Sequence, residues 1–121
     1  MKRRDPELQV HLAILDFLRA VLGPDALVFH TPNGGYRTPA EAGRLRRMGT
    51  MAGIPDICVL LPYGRTVWLE IKPPGGRLSA DQIAFAEHAD RYRIPFAVVR
   101  RIEDARDFLA EHGVATREVG R

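Results

Sequence analysis

An α/β fold, a mixed sheet flanked by helices, is predicted by three observations. Several runs, the longest at 6–22, carry apolar residues at helical spacing. Two short strand-like runs, DICVLL at 56–61 and TVWLEIK at 66–72, flank the turn PYGR and predict an antiparallel hairpin. A helical run then separates the second of these from another apolar strand, which predicts a right-handed parallel crossover over 66–100. The expected order is αβαββαβα, in one domain spanning 1–121.

Each element has a local reason. In 6–22 the apolar stripe is Leu8, Leu12, Leu15, Leu18 and Leu22, widened by Ile14, Phe17 and Val21. Asp5 suits the N-cap, Pro6 the first helical position, and Gly23-Pro24 the stop. A strand ALVFH follows, then the turn-rich loop TPNGGYRT, a short basic helix at 39–48 and a second loop, GTMAGIP. After the hairpin and the loop PPGGRL, Ser79 and Gln82 have capping-box spacing at the head of SADQIAFAEHADRY. The strand PFAVVR and the helix IEDARDFLAEHG, with Gly113 as its stop, complete the chain.

Composition narrows the function classes. A chain of 121 residues buries roughly two-thirds of its unfolded surface without staples. The single cysteine, Cys58, rules out a disulfide framework or a cysteine metal cluster and fits a reducing cytoplasm, bacterial or that of a virus-infected host. The basic-then-apolar N-terminus is interrupted by Asp5, Glu7, His11, Asp16 and Arg19, so it reads as an amphipathic helix, with neither a targeting segment nor a membrane span. Net charge is only +3, but Arg37, Arg44, Arg46 and Arg47 cluster against the lone Glu41, a pattern suited to phosphate contacts or to a solvated helix face. Of eighteen basic residues only Lys2 and Lys72 are lysine. Lysine is the compact ammonium that site chemistry uses and a planar guanidinium does not readily replace.

The hairpin holds the main anomaly. Asp56 opens its first strand, and Glu70 and Lys72 sit near the end of its second, where burial of an uncompensated charge costs several kcal/mol. Alternation puts Trp68, Glu70 and Lys72 on one face and Val67, Leu69 and Ile71 on the other. Strand register, which the sequence leaves open, decides whether Asp56 meets Glu70. Two carboxylates and a lysine converging at a sheet edge suit a hard divalent cation, whose preferred partners are carboxylates, water and phosphate oxygens. The bland alternative is an ion pair between Lys72 and one carboxylate.

These residues resemble the core motif of the PD-(D/E)xK nuclease superfamily, here Pro55-Asp56 with Glu70-Ile71-Lys72. The surrounding motifs resemble the VRR-NUC nucleases: Glu7 early in the first helix, Asn33-Gly34-Gly35 with Arg37, Gly53 before Pro55-Asp56, and Gly76-Arg77-Leu78-Ser79 with Gln82. The resemblance covers 7 to about 112, in order. It implies a restriction-endonuclease-like sheet. It also implies Mg2+ or Mn2+ held by Glu7, Asp56, Glu70 and the Ile71 carbonyl, with Lys72 the catalytic lysine and Gln82 supporting the site. Gln82 is otherwise only a cap partner, and Glu7 only a carboxylate favoured at a helix N-terminus. Asn33, Gly34, Gly35, Arg37, Arg44, Arg46, Arg47 and Arg77 would contact DNA.

The implied function is metal-dependent DNA endonuclease, selective for branched substrates such as Holliday junctions and acting as a homodimer. It would need no nucleotide cofactor and no membrane. The alternative is a non-catalytic DNA-binding or scaffolding module of the same fold. Family members often carry glycine before the last core strand, where this chain has Arg93 and Ile94. The four histidines, His11, His30, His88 and His112, lack ligand spacing and predict no zinc site. PPGGR lacks the Gly-Lys-Ser/Thr of a nucleotide-binding phosphate loop, and no serine sits on a nucleophile elbow. Trp68 is expected in the core.

Overall fold

The computed structural model describes residues 5–32 and 37–117. The elements are α1 (Pro6–Leu22), β1 (Leu27–His30), α2 (Pro39–Arg47), β2 (Ile57–Leu61), β3 (Arg65–Ile71), α3 (Ala80–Arg91), β4 (Phe96–Val99) and α4 (Ile102–Glu111), with one 3-10 turn at Pro62–Gly64 inside the hairpin. The predicted order is therefore observed. Among the described residues no helix is long and apolar enough to cross a membrane.

The four strands form one mixed sheet in the order β1-β2-β3-β4. β1 and β2, and β2 and β3, pair antiparallel, while β3 and β4 pair parallel across the α3 crossover. Val67, Leu69 and Ile71 are fully buried, as alternation requires, and pack with Ile57, Val59 and Val99. Ile14, Leu18 and Val21 of α1 and Ala105, Phe108 and Leu109 of α4 close over this face. On the opposite face α3 supplies Phe85, whose ring lies 5.5 Å from Trp68 and 5.9 Å from Phe96. Trp68 is half-buried there.

The caps form as their residue types demand. The Asp5 carboxylate accepts from the Leu8 N–H at 3.1 Å, and Ser79 and Gln82 make a reciprocal capping box on α3. One packing expectation changes: Leu8 and Leu12 are about half exposed. The buried face of α1 runs through Ile14, Leu18 and Val21, so these two leucines sit on its flank.

The turn before β4 forms without a glycine. Ile94 N–H bonds the Ala89 carbonyl at 2.8 Å and Arg93 N–H bonds that of Asp90 at 3.1 Å, which closes α3 with a Schellman motif. Arg93 occupies the left-handed position of that motif, φ 58°, where glycine is at ease. α4 ends the same way, with Gly113 at φ 64°. The turn thus tolerates a side chain where a glycine is preferred.

Candidate active site

The Gly53-Pro55-Asp56 turn is built by close approach. Gly53 has φ +85°, and a Cβ there would lie 2.5 Å from the backbone carbon and oxygen of Asp81. Only glycine lets this turn press against the first turn of α3. The Asp56 carbonyl then accepts from the Thr31 N–H and from His30 Nδ1, each at 2.8 Å, and Thr31 Oγ1 donates to the Pro55 carbonyl. These bonds pin the backbone of Asp56 against the end of β1.

Register settles where its side chain goes. Ile57 pairs with Leu69, so the next step along the ladder sets Asp56 opposite Glu70. Asp56 Oδ2 accepts from the Ile71 N–H at 2.7 Å, and the Asp56 N–H donates to Glu70 Oε2 at 3.2 Å. Lys72 Nζ stands 4.0 Å from Glu70 Oε1. The three ionisable groups that the hairpin carries therefore meet in one cluster. They gather at the ends of β2 and β3, the central strands, and not at a sheet edge, because β1 and β4 pair outside them.

Glu70 is only 2% exposed. Burial, then the hydrogen bond and charge of the Asp56 side chain, push its pKa up to about 8, against the opposing pull of Lys72. A carboxyl so placed gains from any added cation.

The other expected site residues fall into three groups. Gln82 lies at the head of α3 with its Oε1 taken by the Ser79 N–H at 2.8 Å, as a cap partner. Glu7 is exposed in the first turn of α1, and among the described residues Glu7, Asp56 and Glu70 do not form a ligand group. Arg44, Arg46 and Arg47 line a shallow groove on α2, a helix with no buried residue; Arg77 is exposed and Arg37 half-buried. Asn33, Gly34 and Gly35 lie outside the described residues.

Two of the four histidines meet in space. His11 and His30 are far apart in sequence yet their rings lie 4.7 Å apart, nearly perpendicular. One ligand atom from each, with a carboxylate oxygen of Asp56, lies within 4.8 Å of the other two. Burial lowers the His11 pKa first and His30 lowers it further, while Asp56 and Glu7 pull it upward. Linear spacing could not reveal this group, because its members come from α1, β1 and the turn before β2.

Comparison with protein-family models, with curated proteins and with solved structures gives no match. Among the described residues, fold and site together define an α/β protein with a four-stranded mixed sheet, four helices, and a buried glutamate with a half-buried aspartate beside a lysine.

Proposed function

We propose that this chain is a divalent-metal-dependent DNA endonuclease of the restriction-endonuclease-like class, hydrolysing phosphodiester bonds at Asp56, Glu70 and Lys72. One observation carries the reading: Asp56 stands opposite Glu70, each tied to the other's strand, with the Lys72 ammonium 4.0 Å from Glu70. Two carboxylates gathered near phosphate would hinder a pure DNA binder, because they repel it.

The donor set suits Mg2+ or Mn2+. Both carboxylates are oxygen donors, and the raised pKa of Glu70 reflects the cost of ionising it there, which a hard dication would offset. Asp56 and Glu70 would hold the ion with the Ile71 carbonyl, as the motif resemblance implies, and Glu7 would add a ligand from α1. Such an ion supplies Lewis-acid stabilisation and a more acidic water. Lys72, with its side chain 13% exposed, keeps an ammonium beside the carboxylates, where it offsets charge building on the phosphoryl oxygens. The hydrogen bond from Ile71 to Asp56 fixes the aspartate rotamer. Water would add in line to phosphorus and the 3′ oxygen would leave with a proton, giving 5′-phosphate ends. The exposed arginines of α2, with Arg37 and Arg77, supply the DNA-facing charge. A two-fold dimer would place two such centres on a branched substrate.

The test is cleavage of end-labelled four-way junction, 5′ flap, single-stranded and duplex DNA with Mg2+ or Mn2+. Metal-dependent cutting, lost in Asp56→Ala and Lys72→Ala, is the expected result. Equal cutting by either purified variant overturns the mechanism. Salt-dependent binding with no cutting in either metal establishes the scaffolding alternative instead.

A further inference from the structure

His30, His11 and Asp56 form an arrangement that the carboxylate–lysine cluster does not use. Their three ligand atoms lie within 4.8 Å of one another. In a tetrahedral zinc site, bonds of about 2.0–2.2 Å put ligand atoms roughly 3.3–3.6 Å apart, so modest side-chain rotations close the present gap. The group also has an outer-shell bond of the kind that metal-binding histidines use. His30 Nδ1 faces the Asp56 carbonyl at 2.8 Å, and since a carbonyl only accepts, Nδ1 carries the proton. In the neutral ring Nε2 then carries the lone pair, the tautomer that a backbone carbonyl favours in a ligating imidazole. On the aspartate, Oδ2 also accepts from the Ile71 N–H, which holds the carboxylate in place.

We infer that His11, His30 and Asp56 constitute a second metal centre, for a borderline transition ion of the Zn2+ class, sharing Asp56 with the carboxylate pair. The donor set separates it from a magnesium site. Two imidazoles and one carboxylate suit zinc or cobalt, whereas Mg2+ demands oxygen donors. Three elements supply the ligands: α1, the end of β1, and the turn leading into β2. An ion there would therefore clamp α1 to the sheet. Water is the fourth ligand expected of such a three-residue set. The centre stands whether or not the carboxylate pair cuts DNA.

Co2+ titrated into the chelator-stripped chain is the probe, because tetrahedral cobalt absorbs visible light far more strongly than the hydrated ion. Expected is one Co2+ per chain with intense visible bands, bleached by stoichiometric Zn2+. His30→Ala and His11→Gln should each weaken Co2+ affinity at least tenfold, while thermal melts show that both variants fold. Glu70→Gln and Lys72→Ala should retain the bands, which separates this centre from the nuclease reading. Bands that persist at full affinity in the folded double histidine variant would overturn the assignment. So would the absence of one-to-one binding to the unmodified chain.

Discussion

Glu70→Gln removes a titrating group while keeping its shape and its hydrogen bonds. A glutamine oxygen can still accept from the Asp56 N–H, and its amide can donate to the Asp56 carboxylate as the protonated acid does. In the unfolded chain Glu70 titrates near 4.5, while in the folded chain burial and Asp56 raise this to about 8, opposed by Lys72. Between those values the folded state holds a proton that the unfolded state has released, so stability falls as pH rises. The contribution is fully present below pH 4.5 and is lost as pH passes through about 8. At about 1.4 kcal/mol per pH unit, the total is on the order of 5 kcal/mol, a large share of the roughly 5–15 kcal/mol of an ordinary domain. Urea unfolding of both proteins in chelator, at intervals from pH 4 to 9, measures what this group and its interaction with Asp56 and Lys72 contribute, since groups remote from it are the same in both. The variant should match the native chain at the acid end and exceed it by about 3–5 kcal/mol at the alkaline end. A difference that stays constant across that range would refute the reasoning, because it would mean that Glu70 ionises in the fold as it does in the open chain.

Other consequences can be checked by similar means. Gly53→Ala should destabilise by about 2–4 kcal/mol in urea, through its positive φ and its collision with the Asp81 backbone. Arg93→Gly should stabilise by about 1 kcal/mol, and Gly113→Ala should destabilise by a similar amount, since both sit at left-handed positions of Schellman motifs. Ser79→Ala should cost about 1 kcal/mol in thermal unfolding through loss of the α3 cap. Gln82→Ala then discriminates between two roles: a pure cap partner lowers only the melting temperature, while a residue supporting the site also lowers the cleavage rate. Leu69→Ala should cost about 2–5 kcal/mol, as a fully buried side chain of the central strand.

Much of this molecule is written in local sequence. Helix ends depend on residues within a turn of them, so Asp5, Pro6, Ser79, Gln82 and Gly113 marked real boundaries. Strand alternation is equally local, and it assigned Val67, Leu69 and Ile71 to the core and Trp68, Glu70 and Lys72 to the other face. The suspicion that charges within a hairpin must compensate one another rested on solvation cost alone, which depends on residue type and burial.

What tertiary structure decided is whatever needed a distance between segments. Register placed Asp56 opposite Glu70, and the flanking strands put the cluster on the central strands instead of an edge. The rotation of α1 about its axis left Leu8 and Leu12 exposed, because the helix packs on both α4 and the sheet. Arg93 took a glycine's conformation because the Schellman bonds and the entry into β4 demand it. The meeting of His11, His30 and Asp56 is the clearest case: nothing in the spacing of two histidines on separate elements foretells that three ligand atoms converge. Local patterning determines elements and faces, since its forces act over a few residues. Contacts between segments distant in the chain exist only once those elements are packed.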